Sequence, residues 1–333
     1  MKSGKVSESI LKRSVLKTIK YKNCDILSGS AVGNDGAITE SKMVIASAVA
    51  GLMLSEKNLY FDCKRAIYCA LNNVAAEGGN PTGIIVDLIL PEKRLESELK
   101  ELMRFISAVC LEAKVQIAGG NTEVSRSVNS TVVTFSAFGN YMYDKHCNMR
   151  DIVCENDCIV MSKQIALSGT SAIAYENYDE LSEKFQVSYI KKAINMENCM
   201  DVRREAEIAR DMNVKVMHDL SRGGIYLGLW QLAEKTNRGV EAWLDKVDIK
   251  QETIELCEPY GINPYKLMSN GALLMVTDNG KKLVEELRNQ GIDAEVIGRL
   301  TADNDKVFLK NEDRRYIEPP KRDEIEIYLS NKM

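Results

Sequence analysis

The sequence of 333 residues lacks long hydrophobic runs, and it lacks a strong excess of charge of either sign. Its apolar stretches, such as 83–90, fall far short of the ~20 residues that a membrane-spanning helix needs. Lys and Arg number 44 against 48 acidic residues, so the net charge of -4 creates no overall field that favours nucleic acid. We therefore expect neither a membrane protein nor a nucleic-acid-binding protein.

An apolar export segment is also missing at the start of the sequence, where a charged helical pattern follows residues 1–5. The nine cysteines are an odd number, and several lie inside apolar patterns where a reduced thiol acts as a small hydrophobic group. Cys154 and Cys158 form one C-x3-C pair, with Cys147 nearby, but no second pair follows at the spacing of a zinc site. These features predict a cytoplasmic protein with reduced thiols.

Three common catalytic or nucleotide-binding signatures are absent. The sequence has no Gly-x4-Gly-Lys-Ser/Thr loop, no Gly-x-Gly-x-x-Gly after a strand and no Gly-x-Ser-x-Gly. It has only two histidines, and His146 lies in a polar linker. A P-loop enzyme, a dinucleotide-binding enzyme of the Rossmann type and a serine hydrolase are therefore all disfavoured, and any nucleotide must be bound by other means.

The composition is that of an ordinary globular protein, with 45% hydrophobic and 28% charged residues, and the length indicates two domains. The polar stretch 141–157 interrupts the periodic pattern, so we predict domains at 1–148 and 149–333. Both halves alternate helical and strand patterns. Predicted helices cover 7–20, 62–76, 95–113, 223–237 and 280–289, and predicted strands cover 43–49, 83–90, 115–118, 130–139, 158–162, 214–218, 240–244, 272–276 and 294–297.

Polar clusters lie where these elements begin or end, which are places that suit phosphate and Mg²⁺. They are 32–37 with Gly33, Asn34, Asp35 and Gly36, then Asn72 and Asn73 ahead of Gly78-Gly79, then Gly119 to Glu123, and 217–224 with His218, Asp219, Ser221 and Arg222. Asp35 and Glu123 are carboxylates beside glycines, so they are candidate metal ligands. Simpler readings remain open, because Asn-Asp-Gly is common turn chemistry and Asp219 or Ser221 would also cap a helix. Capping requires neither His218 nor Arg222.

The order and spacing of these clusters resemble the superfamily of aminoimidazole ribonucleotide (AIR) synthase, and the resemblance covers nearly the whole chain. Its most specific parts are 32–37, 71–81, 118–125, 218–230 and 263–274. The likeness is greatest to the AIR synthase-related branch that resembles hydrogenase maturation proteins. The resemblance implies an α/β (α+β) chain of two domains, an N-terminal mixed-sheet dimerisation domain and a C-terminal α/β domain, which forms a homodimer and binds Mg-ATP between the domains.

The resemblance also implies roles for particular residues. A small-molecule substrate would be phosphorylated from ATP, with His218, Asp219 and Arg222 as catalytic residues and Asp35, Glu123 and Asp219 at Mg²⁺. Nucleotide-binding positions would be Gly33, Asn34, Asp35, Gly36, Asn73, Gly120, Asn121 and Thr122.

The chain departs from this family pattern at several positions. Ser47, Asn73, Asn121, Ser168 and Asn270 stand where relatives commonly carry an acidic residue or histidine, and residues 329–333 include no cysteine of the kind used to form thiocyanate. Amides and hydroxyls bring no negative charge to a metal. Two expectations follow: an ATP-dependent phosphoryl-transfer enzyme, or a nucleotide-binding or regulatory homodimer with depleted catalysis.

Overall fold

A computed structural model describes residues 6–144, 149–310 and 313–332. His146 and Cys147 of the predicted boundary lie outside these ranges. The strands are β1 (Ile26–Ser28), β2 (Ala37–Thr39), β3 (Met43–Ala50), β4 (Gly79–Leu90), β5 (Gln116–Val124), β6 (Val132–Tyr141), β7 (Cys158–Ser162), β8 (Val216–Asp219), β9 (Gly239–Trp243), β10 (Leu273–Thr277), β11 (Ala294–Thr301), β12 (Lys306–Lys310) and β13 (Asp313–Tyr316).

The helices are α1 (Glu8–Ile10), α2 (Leu59–Ala76), α3 (Glu96–Glu112), α4 (Met149–Ile152), α5 (Leu167–Glu176), α6 (Tyr178–Lys184), α7 (Val187–Asn195), α8 (Arg203–Asp211), α9 (Gly224–Thr236), α10 (Gln251–Cys257), α11 (Gly280–Asn289) and α12 (Glu324–Lys332). The helical path of α1 continues as a π turn over Leu11–Val15 and a 3₁₀ turn over Leu16–Thr18. Further 3₁₀ turns lie at Glu56–Asn58, Met196–Cys199, Leu244–Lys246, Glu258–Tyr260 and Pro264–Lys266.

The first six strands form one mixed sheet in the order β1-β2-β3-β6-β4-β5. Its pairs are antiparallel except for β4 and β5, which run parallel. Residues alternate between the faces, so β6 buries Val133, Phe135 and Ala137 under α2 while their neighbours point outwards. The outward face carries Met43, Ile45, Ile85 and Ile89, each about 40% exposed.

The last seven strands form a second mixed sheet in the order β13-β12-β9-β11-β7-β10-β8. Within the described part of this second sheet, only β12 and β9 pair in parallel. All five residues of β10 are buried, as expected for a strand with neighbours on both sides and helices on both faces. Helix α9 contacts β8 and β9, and α11 contacts β7 and β11.

The two mixed sheets with packed helices confirm the predicted fold class. The predicted strand 158–162 and helix 280–289 match β7 and α11 residue for residue. One prediction at a candidate site was wrong, because the strand predicted at 115–118 does not end at Gly119-Gly120 but continues to Val124. The C-terminal region is part of the second domain, since β12 and β13 extend the second sheet and α12 follows them.

Two expectations from composition concern the whole chain. In the parts of the chain that the structure covers, no helix combines the length and the apolar character needed to cross a membrane. The eight cysteines within those parts form no disulfide, which agrees with the expected reduced thiols.

Candidate functional site

The loop before β2 comes into direct contact with helix α9. Gly33 has a φ of +86°, and a Cβ atom there would lie 2.4 Å from the backbone oxygen of Gln231. A side chain would therefore both strain the backbone and clash, so glycine is required for this approach. The amide side chain of Asn34 donates to Ser28 Oγ at 3.0 Å and to the Gly29 carbonyl at 2.8 Å, which fixes the loop. The next residue, Asp35, is thereby presented to α9 and β8.

Asp35, Glu77, His218 and Lys235 form one buried network, which we call the Asp35 cluster. Asp35 Oδ2 lies 2.9 Å from His218 Nδ1 and 3.2 Å from Lys235 Nζ. Lys235 Nζ also donates to Glu77 Oε1 at 2.9 Å, and that same oxygen accepts the backbone N–H of Asp35 at 2.8 Å. The side chains of Lys235 and Glu77 are 1% and 0% exposed. The first domain supplies both carboxylates, and the second supplies both nitrogen bases.

Charge attraction within the Asp35 cluster outweighs the cost of burial. Burial alone would raise the pKa of Asp35, but His218 and Lys235 lower it by more than burial raises it. The pKa of Asp35 therefore lies below its ordinary value. Burial alone would lower the pKa of Lys235, but Glu77 and Asp35 raise it above its ordinary value. Asp35 is therefore a carboxylate and Lys235 an ammonium at neutral pH.

His218 is held on both sides of its ring. Nδ1 faces Asp35 Oδ2, and Nε2 lies 3.2 Å from Gln231 Oε1. Gln231 uses its own amide N–H to donate to Glu8 Oε1 at 2.9 Å, which turns its oxygen towards the ring. Both ring nitrogens therefore face oxygen atoms, which fixes the orientation of the ring.

Asp219, at the end of β8, is a further buried carboxylate, which lies beside the Asp35 cluster. Asn72 in α2 donates to its Oδ1 at 3.4 Å, and also donates to the Met200 carbonyl at 2.8 Å. The other oxygen, Oδ2, has no hydrogen-bond partner in the described part of the chain. Burial and the negative charge of Asp35 raise the pKa of Asp219 well above its ordinary value. Asp219 is thus suited to hold a proton or to gain a cationic or hydrogen-bonding ligand.

Arg222 does not join the Asp35 cluster through any contact that the structure shows. Its guanidinium forms an ion pair with Glu326 of α12 at 3.2 Å. The neighbouring Gly223 donates its N–H to Asp323 Oδ2 at 2.6 Å. In the described part of the chain, Arg222 therefore contacts the C-terminal helix α12, and its role as a catalytic residue stays a prediction.

The third predicted cluster lies at the other edge of the first sheet. Gly120, Asn121, Thr122 and Glu123 are exposed residues of β5, and Asn121 donates to Glu123 Oε1 at 2.9 Å. Strands β3, β6 and β4 lie between β5 and β2, the strand that follows Asp35. At ~4.8 Å per strand these residues are roughly 19 Å from Asp35 along the sheet. One chain therefore does not bring them to the Asp35 cluster.

The residues of one chain do not fit the predicted Mg²⁺ site. Of its three expected ligands, Glu123 is remote and Asp35 is already bonded to His218 and Lys235 through the same oxygen. Throughout residues 6–144, 149–310 and 313–332, no group of three or more His, Cys, Asp or Glu side chains is arranged to hold a metal ion. Asp35, Glu123 and Asp219 therefore do not come together within the described part of one chain, and their joint role at Mg²⁺ stays a prediction.

Four of the positions that depart from the family pattern have polar or sulfur partners rather than acidic ones among the described residues. Ser47 is exposed and bonds Ser136 Oγ at 2.7 Å. Ser168 and Asn270 are fully buried and bond each other, with Asn270 N donating to Ser168 Oγ at 3.0 Å. Asn73 makes only a long contact of 4.0 Å to Cys69 Sγ. Its neighbour Asn72, which the sequence also singled out, is the amide that contacts Asp219, and the role of Asn73 in nucleotide binding stays a prediction.

A cavity of about 890 Å³ opens beside the Asp35 cluster. The loop 28–32, Asn34, Glu234 and Lys235 contribute to its lining, together with residues 16–27 such as Tyr21 and Lys22. A volume in this range is typical of sites for small molecules and cofactors. The lining combines backbone groups, hydroxyls, a surface lysine and apolar side chains, which suits a ligand with both an anionic and an aromatic part.

Glu77, Lys235 and Gln231 were not among the residues singled out from the sequence. A signal was present in α9, where Gln231 and Lys235 are spaced i, i+4 and so share one face of an otherwise apolar helix. A buried lysine needs a carboxylate partner. That requirement could have directed attention to Glu77, the acidic residue just before Gly78-Gly79.

The fold and the paired domains define a class of protein. The family description AIR synthase related protein, N-terminal domain matches residues 26–140, and AIR synthase related protein, C-terminal domain matches 155–310. The chain therefore belongs to the AIR synthase-related family. Within it, the chain is 28% identical over 335 residues to a putative hydrogenase expression/formation protein of Methanocaldococcus jannaschii, covering 97% of this chain and 96% of that protein.

More distant relatives carry two different activities in their names. The chain is 22% identical over 250 residues to carbamoyl dehydratase HypE of Rhizobium leguminosarum bv. viciae, covering 74% and 69% of the two chains. It is 23% identical over 252 residues to thiamine-monophosphate kinase of Pyrococcus horikoshii, covering 75% and 74%.

Solved structures agree on the fold. HypE in the HypE–HypF complex superposes with a TM-score of 0.74 at 18% identity, covering 93% of this chain and 99% of that one. AaThiL complexed with AMPPCP and TMP gives a TM-score of 0.68 at 21% identity, covering 93% and 97%. HypE in complex with ATP gives 0.66 at 15% identity, covering 96% and 97%.

Proposed function

We propose that the chain binds ATP in the cavity beside the Asp35 cluster and transfers a phosphoryl group to a small-molecule substrate. The observation that carries the proposal is a concentration of buried charge directly behind the wall of one cavity, to which Lys235 contributes. Behind that wall Lys235 contacts Asp35 and Glu77, His218 contacts Asp35, and Asp219 adds a buried carboxylate with an oxygen that has no partner among the described residues. Buried groups whose pKa values are strongly shifted occur preferentially at functional sites.

The chemistry of the cluster suits phosphate. Phosphoryl transfer depends on positioning and on neutralising the charge that develops on phosphate oxygens. Lys235 brings a positive charge to the cavity wall, and the loop 28–34 provides backbone groups and hydroxyls there. Complexes of HypE with ATP and of AaThiL with AMPPCP, two proteins of the same fold, support a nucleotide as the ligand.

A second candidate function is a homodimer that binds a nucleotide without turnover. The observation that favours it is the amide or hydroxyl at Ser47, Asn73, Asn121 and Asn270, where relatives commonly carry an acidic residue or histidine. Fewer carboxylates mean weaker catalysis of any reaction that depends on them. The two candidates share the binding site and differ only in whether phosphate is released.

We also propose that two copies pair through the outward face of the first sheet. Met43, Ile45, Ile85 and Ile89 are exposed on this face, on the strands β3 and β4 that flank β6. Apolar areas of this kind mark interaction surfaces. The second copy would also bring its own Asn121 and Glu123, which lie on β5 at the edge of the same sheet.

Calorimetric titration of the purified chain with ATP, followed by a phosphate-release assay on the same sample, tests these candidates. Binding with phosphate release supports the phosphoryl-transfer enzyme. Binding without release supports the nucleotide-binding homodimer. If ATP does not bind under any condition, including with Mg²⁺ present, both candidates are refuted.

A further inference from the structure

Lys235 is a lysine in an unusual position. It lies in the last turn of α9, and its side chain is 1% exposed, whereas lysine is almost never fully buried without a partner. Its neighbours along the helix, Leu232, Ala233 and Thr236, pack into the core. The ammonium group is therefore inserted between the two domains rather than left at the surface.

The ammonium group is bound by oxygen atoms from three separate elements. Nζ lies 2.9 Å from Glu77 Oε1, 3.2 Å from Asp35 Oδ2 and 3.0 Å from the Met217 carbonyl. A lysine ammonium has three N–H donors, so each donor has one oxygen. Lys235 is thus the centre of a complete set of three oxygen partners.

These oxygens are of the kind that a hard divalent cation takes as ligands in proteins, namely carboxylates and a backbone carbonyl. The position that such a cation would need is filled by Lys235 Nζ. A further carboxylate oxygen, Glu77 Oε2, is buried there without a hydrogen-bond partner among the described residues. Two carboxylates therefore face one ammonium, and the remaining negative charge lies beside His218.

We propose that Lys235 is a built-in cation, which takes the place of a divalent metal ion between Asp35 and Glu77 and makes the Asp35 cluster independent of Mg²⁺. The inference deepens the proposed function, since it assigns the charge that would face a nucleotide in the adjoining cavity. The cluster itself is a property of the protein without any nucleotide, so it is testable separately.

The test compares the wild-type chain with Lys235→Met, which keeps most of the side-chain volume and removes the charge. Thermal unfolding is followed in EDTA and in Mn²⁺. The wild-type melting temperature should be the same in both, because the cation position is filled. Lys235→Met should melt lower in EDTA and recover in Mn²⁺, because its two carboxylates and the Met217 carbonyl are then open to a metal ion.

Lys215→Met is the matched control. Lys215 also pairs with a buried carboxylate, as its Nζ lies 2.8 Å and 3.0 Å from the two oxygens of Asp157, but it bridges no second carboxylate. This variant should lose stability without recovery in Mn²⁺. Recovery of Lys215→Met to the same extent as Lys235→Met, or no recovery in either variant, overturns the proposal.

Two measurements that do not use Lys235→Met decide the question even if that variant does not fold. Electron paramagnetic resonance of added Mn²⁺ should give the same spectrum for the wild type and for Asp35→Asn, because neither holds a metal there. ATP affinity in EDTA should stay within about tenfold of the affinity in Mg²⁺. A Mn²⁺ signal that disappears in Asp35→Asn, or ATP binding that requires Mg²⁺, overturns the built-in cation. Failure of ATP to bind in either buffer overturns the proposed function alone, because the thermal and resonance measurements use no nucleotide.

Discussion

Asp323 is expected to make the stability of the chain depend on pH. It is 3% exposed and lies just before α12, where Oδ2 accepts the N–H of Gly223 at 2.6 Å and Oδ1 accepts that of Ile325 at 3.0 Å. Burial raises its pKa from 3.8 to about 7, the nearby charge of Glu326 acts in the same direction, and the two N–H donors and Arg222 oppose it.

The direction of the effect follows from proton uptake. Between pH 4 and 7 the folded chain keeps a proton on Asp323 that the unfolded chain releases. The free energy of unfolding therefore falls as the pH rises through this range, by at most ~1.4 kcal/mol per pH unit, and levels off above pH 7. A rise in pKa from 3.8 to about 7 corresponds to roughly 4 kcal/mol in total.

Urea unfolding of the wild type and of Asp323→Asn, followed by tryptophan fluorescence from pH 4 to 8, measures this contribution. Asparagine resembles the protonated carboxyl group and cannot release the proton. The variant should gain about 4 kcal/mol relative to the wild type as the pH is raised across the range. As a control, Asp303→Asn removes an exposed carboxylate whose pKa the Thr301 hydroxyl holds below its ordinary value, and its curve should run parallel to the wild type above pH 5. Parallel curves for Asp323→Asn would refute the reasoning.

Four further predictions concern the site and its frame. Asp219→Asn should weaken ATP binding by at least tenfold without lowering the melting temperature at pH 8, because it removes a buried carboxylate that Asp35 repels; a large loss of stability would instead show that Asp219 serves the fold rather than the ligand. Gly33→Ala should cost ~1–3 kcal/mol in urea unfolding, because of its positive φ and the clash with α9, and an unchanged midpoint would contradict this. Arg65→Met should lower the free energy of unfolding by ~3–5 kcal/mol, since Arg65 Nε lies 2.7 Å from Asp62 Oδ1 and the variant leaves this buried carboxylate without its partner. A smaller loss would show that water reaches Asp62. Ile45→Glu should give a monomer in light scattering, and a dimer that persists would exclude the outward face of the first sheet as the interface.

Much of the fold could be predicted because strands and helices carry local periodic patterns. The amphipathic repeat of α11 and the apolar run of β7 were sufficient for both bounds. The two short strands next to the Asp35 loop were not predicted, since β1 and β2 have three residues each and no usable period. At Gly119-Gly120 the glycines indicated a turn, but parallel pairing with β4 keeps the chain extended.

The site was predictable only in part, because its partners are distant in sequence. Asp35, His218 and Asp219 stood out as polar residues at element ends, and the structure brings the first two into contact. Lys235 lies 200 positions from Asp35 and 158 from Glu77, so no local pattern links them. Asn73 was chosen over Asn72, yet neighbouring residues of a helix point about 100° apart, and only tertiary packing decides which amide faces Asp219.

The outward face of the first sheet has a consequence for how its substitutions act. Two identical copies that meet through one shared face are related by a two-fold axis, so each residue of the face occurs twice in the contact. In the proposed homodimer, a change at Ile45 or Ile85 would therefore alter two places in each assembly, and a residue on the axis would meet its own copy. Selection on this face would then act on self-complementarity: a small change in one side chain would have a doubled energetic effect, and a new charge near the axis would repel its own copy.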